Sequence, residues 1–240
     1  NVNMKPNMNY NLFYYIGCND IKLNSFLFNK NNLAHKLFFY QNSHGDNFFS
    51  FANYFNPERM QFGALRVLND DIIAPGRGFG THPHDNMEII TIPLEGSLEH
   101  KDSMENEGVI EKDEIQVMSA GTGITHSEFN ANKETHCKLL QIWLFPNKRN
   151  VTPRYDQIAI RQLAKKNSLY QVLSPSSEDD GVWIHQQAWF NIGEYDVVTE
   201  EKYTLNLSEN GVYLFVIEGQ LTIENQTLEK RDGFGIWNTD

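Results

Sequence analysis

Gly76-Arg77-Gly78-Phe79-Gly80-Thr81-His82-Pro83-His84 ends on two histidines spaced i, i+2. Gly121-Thr122-Gly123-Ile124-Thr125-His126-Ser127-Glu128 answers it further along, with a histidine and a carboxylate at the same spacing. Side chains of a β-strand alternate between its faces with a period of two, so residues i and i+2 point the same way. If both stretches are strands of one barrel, His82, His84, His126 and Glu128 converge inside it. Three imidazoles and a carboxylate make a metal-ligand set. Each pair alone is a weak signal, because His-Pro-His also occurs in loops. Together they carry more weight, since both have strand spacing and both follow glycine-rich turns.

The surrounding chain reads as short strands separated by turns. Ser50–Phe55 and Phe62–Leu68 are strand-like, with a turn at Asn56-Pro57-Glu58 between them. Met87–Leu94 is rich in β-branched residues. Glu95-Gly96 reads as a turn from which Ser97–Asp102 runs back. Residues 99–114 are highly charged and read as a solvated hairpin. Ile115–Met118 alternates like a half-buried strand, and Cys137–Phe145 is a long apolar one. Short strands with regular turn signals mean an all-β sandwich or barrel. Residues 147–169 lose that pattern and read as a linker with a helical turn. Strand-like runs then resume, and Gly211–Ile223 repeats the shape of Ile89–Glu99, with Glu218-Gly219-Gln220-Leu221 matching Glu95-Gly96-Ser97-Leu98. An internal duplication follows, whose second copy has no His-x-His. The division is then 1–40, an Asn-rich stretch that is either a leader or an arm pairing with the body; 41–146, a metal-binding barrel; 147–169, the linker; and 170–240, a barrel without the metal motif. The chain stops shortly after Asp232–Trp237, so this second barrel reads as incomplete.

Composition narrows the function. The formal net charge of −11 over 240 residues disfavours phosphate backbones and anionic lipid surfaces, so neither direct nucleic-acid binding nor membrane binding is expected. Two cysteines are too few for a disulfide framework, and Cys137, in its apolar run, reads as a buried free thiol. No apolar run is long enough to span a bilayer, and no signal-peptide pattern opens the chain, which points to the cytoplasm. Gly76–Gly80 lacks the Lys-Ser/Thr of a phosphate-binding loop, so its glycines are read as allowing tight turns and close backbone approach.

The spacing of Gly76, His82, His84 and Glu88 resembles the first cupin motif, and that of Gly123, His126 and Asn130 the end of the second. Gly121 stands where that motif usually has Pro, and Ile115 where it usually begins with Gly. A wider resemblance runs from about Phe49 onward, through Ser50–Phe55, Phe62–Val67, Gly78–His84, Leu94-Glu95-Gly96, His100–Ser103, Met118–Ile124, His126–Glu128, Gln141-Ile142-Trp143 and Pro153-Arg154-Tyr155. On these residues the chain is similar to the pirin family of bicupins, and most of all to the bacterial pirin-like quercetinases.

That resemblance implies two tandem cupin β-barrels, with one divalent transition metal in the N-terminal barrel on His82, His84, His126 and Glu128. Fe(II) is the first choice, with Zn, Ni, Co, Mn or Cu as alternatives. It implies a metal-dependent dioxygenase opening a flavonol such as quercetin with O2. Glu128 would be both ligand and general base, and Met60, Phe62 and Phe79 would line a pocket for a flat aromatic. The alternative is a non-enzymatic metal-binding pirin that acts on a protein partner in regulation or redox sensing. Glu88 is expected to have a structural role, His100 to sit on the surface, and His185 to be an isolated strand histidine.

Overall fold

The chain's first strand, β1 (Val2–Cys18), is paired with strands from the other end of the sequence. The structure, a computed structural model, describes residues 2–18, 46–47, 61–223 and 226–237. The strand and turn expected over 50–58, and Met60, lie outside these residues. Strands β2 (Asp46–Asn47), β3 (Leu65–Ile73), β4 (Gly78–His84), β5 (Glu88–Glu95), β6 (Ser97–Asp102), β7 (Glu107–Glu111), β8 (Glu114–Ser119), β9 (Ile124–Asn130), β10 (Cys137–Leu144) and β11 (Arg154–Ala159) build the N-terminal unit. The C-terminal unit adds β12 (Leu169–Ser174), β13 (Val182–Trp183), β14 (Trp189–Tyr195), β15 (Glu201–Tyr203), β16 (Gly211–Ile223), β17 (Gln226–Glu229) and β18 (Gly233–Ile236). Among the described residues no helix is long and apolar enough to cross a membrane.

The N-terminal unit has two sheets, ordered β11-β8-β5-β10-β3-β2 and β4-β9-β6-β7. Facing side chains hold them together as a barrel. At one level Ile73, Leu98, Ile110, Cys137 and Leu139 cluster; at another Ile89, Met118, Ala120 and Ile124 do, with Trp143 packed alongside. Between these apolar layers the inward positions are polar: Asn69, Thr91, Gln116 and Gln141 lie at one level of the larger sheet, by the register of β3, β10, β5 and β8.

The other face of the larger sheet is not solvated. Ile90, Ile92, Ile115, Val117, Leu140 and Ile142 pack there against Val172, Phe190, Ile192, Tyr213 and Phe215 of the C-terminal unit. A sheet covered on both faces selects continuous apolar runs. This explains Ile89–Leu94, and it corrects Ile115–Met118, which is buried on both sides instead of alternating. Fully burying side chains such as Phe190 and Phe215 contributes roughly 1.5–3 kcal/mol each. The Arg231 guanidinium meets Asp70 at 2.8 Å, adding an ion pair between the units.

Three further readings change. The segment read as a linker contains β11, antiparallel to β8, followed by a 3-10 turn at Ile160–Gln162. All six residues of β11 are half-buried, so no alternation marks it. Glu95-Gly96 is not a reversal: β5 and β6 belong to different sheets. Gly96, at φ +76°, turns the chain from one into the other, and a Cβ there would crowd the His136 carbonyl at 3.0 Å. Residues 99–114 are solvated only in part, because Leu98, His100 and Asp102 of β6 alternate inward. The Asn-rich start supplies β1, antiparallel to β14 on one side and to β16 on the other.

Candidate metal centre

β4 is an edge strand, where proline is tolerated, and it carries Pro83 between two inward histidines. Gly76, at φ +63°, turns the chain into it. Gly78 then lies so close to β9 that a Cβ would come 2.1 Å from the Glu128 carbonyl oxygen and 2.5 Å from Phe129 Cα. Past an irregularity in the register, His82 pairs with His126, Pro83 with Thr125 and His84 with Ile124.

The rings of His82, His84 and His126 meet inside the barrel, with centroids 4.8 Å (His82–His84), 4.4 Å (His82–His126) and 4.9 Å (His84–His126) apart. One nitrogen from each lies within 4.8 Å of the other two. His82 Nδ1 is 2.8 Å from the Gly80 carbonyl, so in the tautomer that donates to it the Nε2 lone pair is free. His84 Nε2 and both ring nitrogens of His126 are buried with no hydrogen-bond partner among the described residues. Burial, with the neighbouring His82, pushes His84 down to about 4. Burial and the adjacent His82, His84 and His100 push His126 down to about 3. These two rings are therefore neutral at physiological pH, the form that ligates a metal. Buried, uncharged nitrogens left without partners fit an ion better than they fit a packed core.

Glu128 sits deeper. Its carboxylate accepts hydrogen bonds from Gln141 Nε2 at 2.7 Å and Thr91 Oγ1 at 3.3 Å, both from the facing sheet. Burial raises its pKa, and the Gln141 bond offsets this only in part. The expected four residues thus share the inner face of one sheet, on the paired strands β4 and β9, but in two groups. The three histidines form one; Glu128 is grouped with His126 and with His100.

His100 is the residue the sequence reading missed. It is 0% exposed, not on the surface. Its Nε2 is 3.2 Å from Asp102 Oδ2, and its ring lies 5.4 Å from His126 and 4.9 Å from Tyr155. The signal was present as period-two alternation, with Glu99 and Lys101 outside and Leu98, His100 and Asp102 inside.

Other assignments resolve simply. Glu88 is buried, accepts a 2.7 Å hydrogen bond from Ser119 Oγ, and belongs to neither group of candidate ligands. His185 is not in a strand: it lies in a bend just past β13, half-buried against Trp183. Phe62 does not line the site: it packs on Tyr213 and Trp237 of the C-terminal unit, at 5.5 and 6.1 Å. Phe79 is 42% exposed and pairs across from Glu128. Cys137 is buried and its thiol is pushed up to about 11, chiefly by burial.

The pirin family model matches residues 30–144, and a model described as the quercetinase C-terminal cupin domain matches residues 171–240. Quercetin 2,3-dioxygenase of Escherichia coli K12 is 42% identical over 191 residues, covering 79% of this chain and 80% of that protein. A putative quercetin 2,3-dioxygenase of Zymomonas mobilis is 43% identical over 195 residues, covering 78% and 80%. Among solved structures, the bacterial pirin YhhW of Escherichia coli in complex with nickel(II) superposes with a TM-score of 0.71 at 37% identity, covering 82% of this chain and 86% of that one.

Proposed function

The chain belongs to the pirin family, and from that premise we propose that it is a metal-dependent dioxygenase that opens the ring of a flavonol such as quercetin with O2. The observation that carries this reading is the cluster of His82, His84 and His126, in which His84 Nε2 and both His126 nitrogens are buried without a partner among the described residues. His82, His84, His126 and Glu128 would hold one divalent transition metal, for which Fe(II) is our first choice. Such an ion supplies positive charge, which lowers the pKa of a hydroxyl beside it, and the redox chemistry that O2 requires.

The chain's own residues then do the following. Glu128, whose pKa burial raises, is the carboxylate placed to take the proton of a flavonol hydroxyl. Thr91 and Gln141 fix the direction in which it accepts that proton. Ile89, Met118, Ile124 and Trp143 make an apolar wall beside the histidines that keeps water from a flat aromatic. Trp143 packs edge-on against His84, with ring centroids 4.9 Å apart, and orients that ring. Phe79, exposed on β4, offers a surface on which an incoming aromatic can stack.

The test is to load the purified protein separately with Fe(II), Ni, Co, Mn and Cu and add quercetin in air-saturated buffer. The expected result is loss of the flavonol's visible absorbance together with O2 uptake, abolished in His126→Ala. No turnover with any of the five metals overturns the assignment.

A further inference from the structure

We propose that the barrel offers a second, inner metal position, formed by His100, His126 and Glu128 and alternative to the outer one because the two share His126 and Glu128. It rests on reading the His82, His84 and His126 cluster as a metal centre, and it concerns where in the barrel an ion can sit.

Four observations carry it. One donor atom from each of His100, His126 and Glu128 lies within 4.8 Å of the other two, and all three residues are buried. His100 is prepared as a ligand. Its Nε2 is held by Asp102, and that carboxylate is itself fixed by the backbone N–H groups of Met104 and Asn106, at 2.8 and 3.1 Å, and by Asn106 Nδ2. A carboxylate on one ring nitrogen places the proton there and leaves a lone pair on the other, which is how metal-ligating histidines are usually supported. The other nitrogen, His100 Nδ1, is buried without a partner among the described residues. Finally, Glu128 is held from behind by Gln141 and Thr91, as a ligating carboxylate is.

The register produces this grouping. His100 of β6 stands directly across from Glu128 of β9, and Asp102 across from His126, so the donors come from paired positions on neighbouring strands. The donor chemistry of the two positions also differs. The outer position presents three imidazoles, with the Glu128 carboxylate deeper behind them. The inner one presents two imidazoles and a carboxylate, a set that suits Fe(II) with open coordination sites. An ion at the inner position leaves His82 and His84 free, and their edge strand is the more exposed side of the barrel.

The experiment uses Co(II) as the probe, with metal content after desalting and the d–d absorption spectrum as readouts. Wild type should bind one Co(II). His82→Ala/His84→Ala should still bind one, saturably, at an affinity lower by about tenfold or more and with a shifted spectrum. Adding His100→Ala to that variant should remove the binding. Adding Asp102→Asn should weaken it by roughly 10- to 100-fold. His100→Ala alone should keep one Co(II) through the outer ligands. Circular dichroism and thermal melts establish that each variant folds, and His82→Ala alone makes the same comparison if the double variant does not. No Co(II) in the folded double variant overturns the proposal, and so does binding indifferent to His100. If wild type itself binds no metal, the outer centre falls with it, whereas absent flavonol turnover alongside retained binding touches only the proposed activity.

Discussion

Glu88→Gln should reveal a pH-dependent strain at the junction of the two units. Glu88 is 1% exposed, and burial pushes its pKa from 4.5 to about 7. The Ser119 hydroxyl, the His185 backbone N–H and the Arg154 charge oppose that rise without cancelling it. Below pH 4.5 the carboxyl is protonated in both folded and unfolded chains, and it contributes no pH dependence. Between 4.5 and 7 the unfolded chain ionises while the folded one keeps its proton, so stability falls as pH rises. Above 7 the loss is complete. At about 1.4 kcal/mol per pH unit across that gap, it reaches about 3 kcal/mol. A glutamine cannot ionise and does not incur it. Urea melts of metal-free wild type and Glu88→Gln at steps from pH 4.5 to 8 measure the difference, in which all other groups cancel. The variant should gain on wild type steadily up to neutrality, by roughly 10 °C in a parallel thermal series. A gap independent of pH, or one that closes as pH rises, refutes the reasoning.

Three other outcomes follow from the site. Gly78→Ala puts a methyl group against the Glu128 carbonyl and Phe129 Cα, so β4 must move away from β9; stability should fall by about 1–3 kcal/mol, and bound metal, measured after desalting, should fall with it. Gln141→Leu removes the 2.7 Å donor to a buried carboxylate, costing about 1–3 kcal/mol in denaturant melts and weakening metal affinity in titration. Adding a chelator to the metal-loaded protein should remove the stability that binding contributed, about 2.7 kcal/mol when free metal stands at 100 times Kd, and lower Tm accordingly; coincident melts with and without chelator would count against a metal in the barrel.

The fold was legible where a strand's own residues decide its state. Met87–Leu94 and Cys137–Phe145 could be read as strands because each is a run of β-branched and large apolar residues. The fold was illegible where a distant partner decides. Asn is depleted from strands, and Asn3, Asn7, Asn9 and Asn11 with Pro6 mask the first half of Val2–Cys18, so only Leu12–Ile16 carries a strand signal; the place of the whole strand comes from backbone pairing to β14 and β16, far away in sequence. Ile115–Met118 alternates in its letters, Ile-Gln-Val-Met, and looks half-solvated. The C-terminal unit covers the face bearing Ile115 and Val117, while Gln116 and Met118 turn into the barrel, and no local pattern announces a sheet covered twice.

The metal centre divides along the same line. His82 and His84, and His126 and Glu128, could be paired from spacing alone, because i and i+2 share a face in any strand. How those four are grouped depends on cross-strand register. His82 meets His126 across β4 and β9, whereas Glu128 meets His100 across β9 and β6 and turns toward Thr91 and Gln141 on the facing sheet. His100 was assigned to the surface on the average charge of its neighbours, and that average runs over two faces at once. Taken one face at a time, Leu98, His100 and Asp102 make an inward row that begins with a core leucine, while Glu99 and Lys101 make the outward row. His136 is exposed, and no such row leads up to it; β10 begins only at Cys137. What separates a ligand from a surface histidine here is the company it keeps at i ± 2, so a charged stretch has to be split by strand parity before its histidines are assigned to solvent.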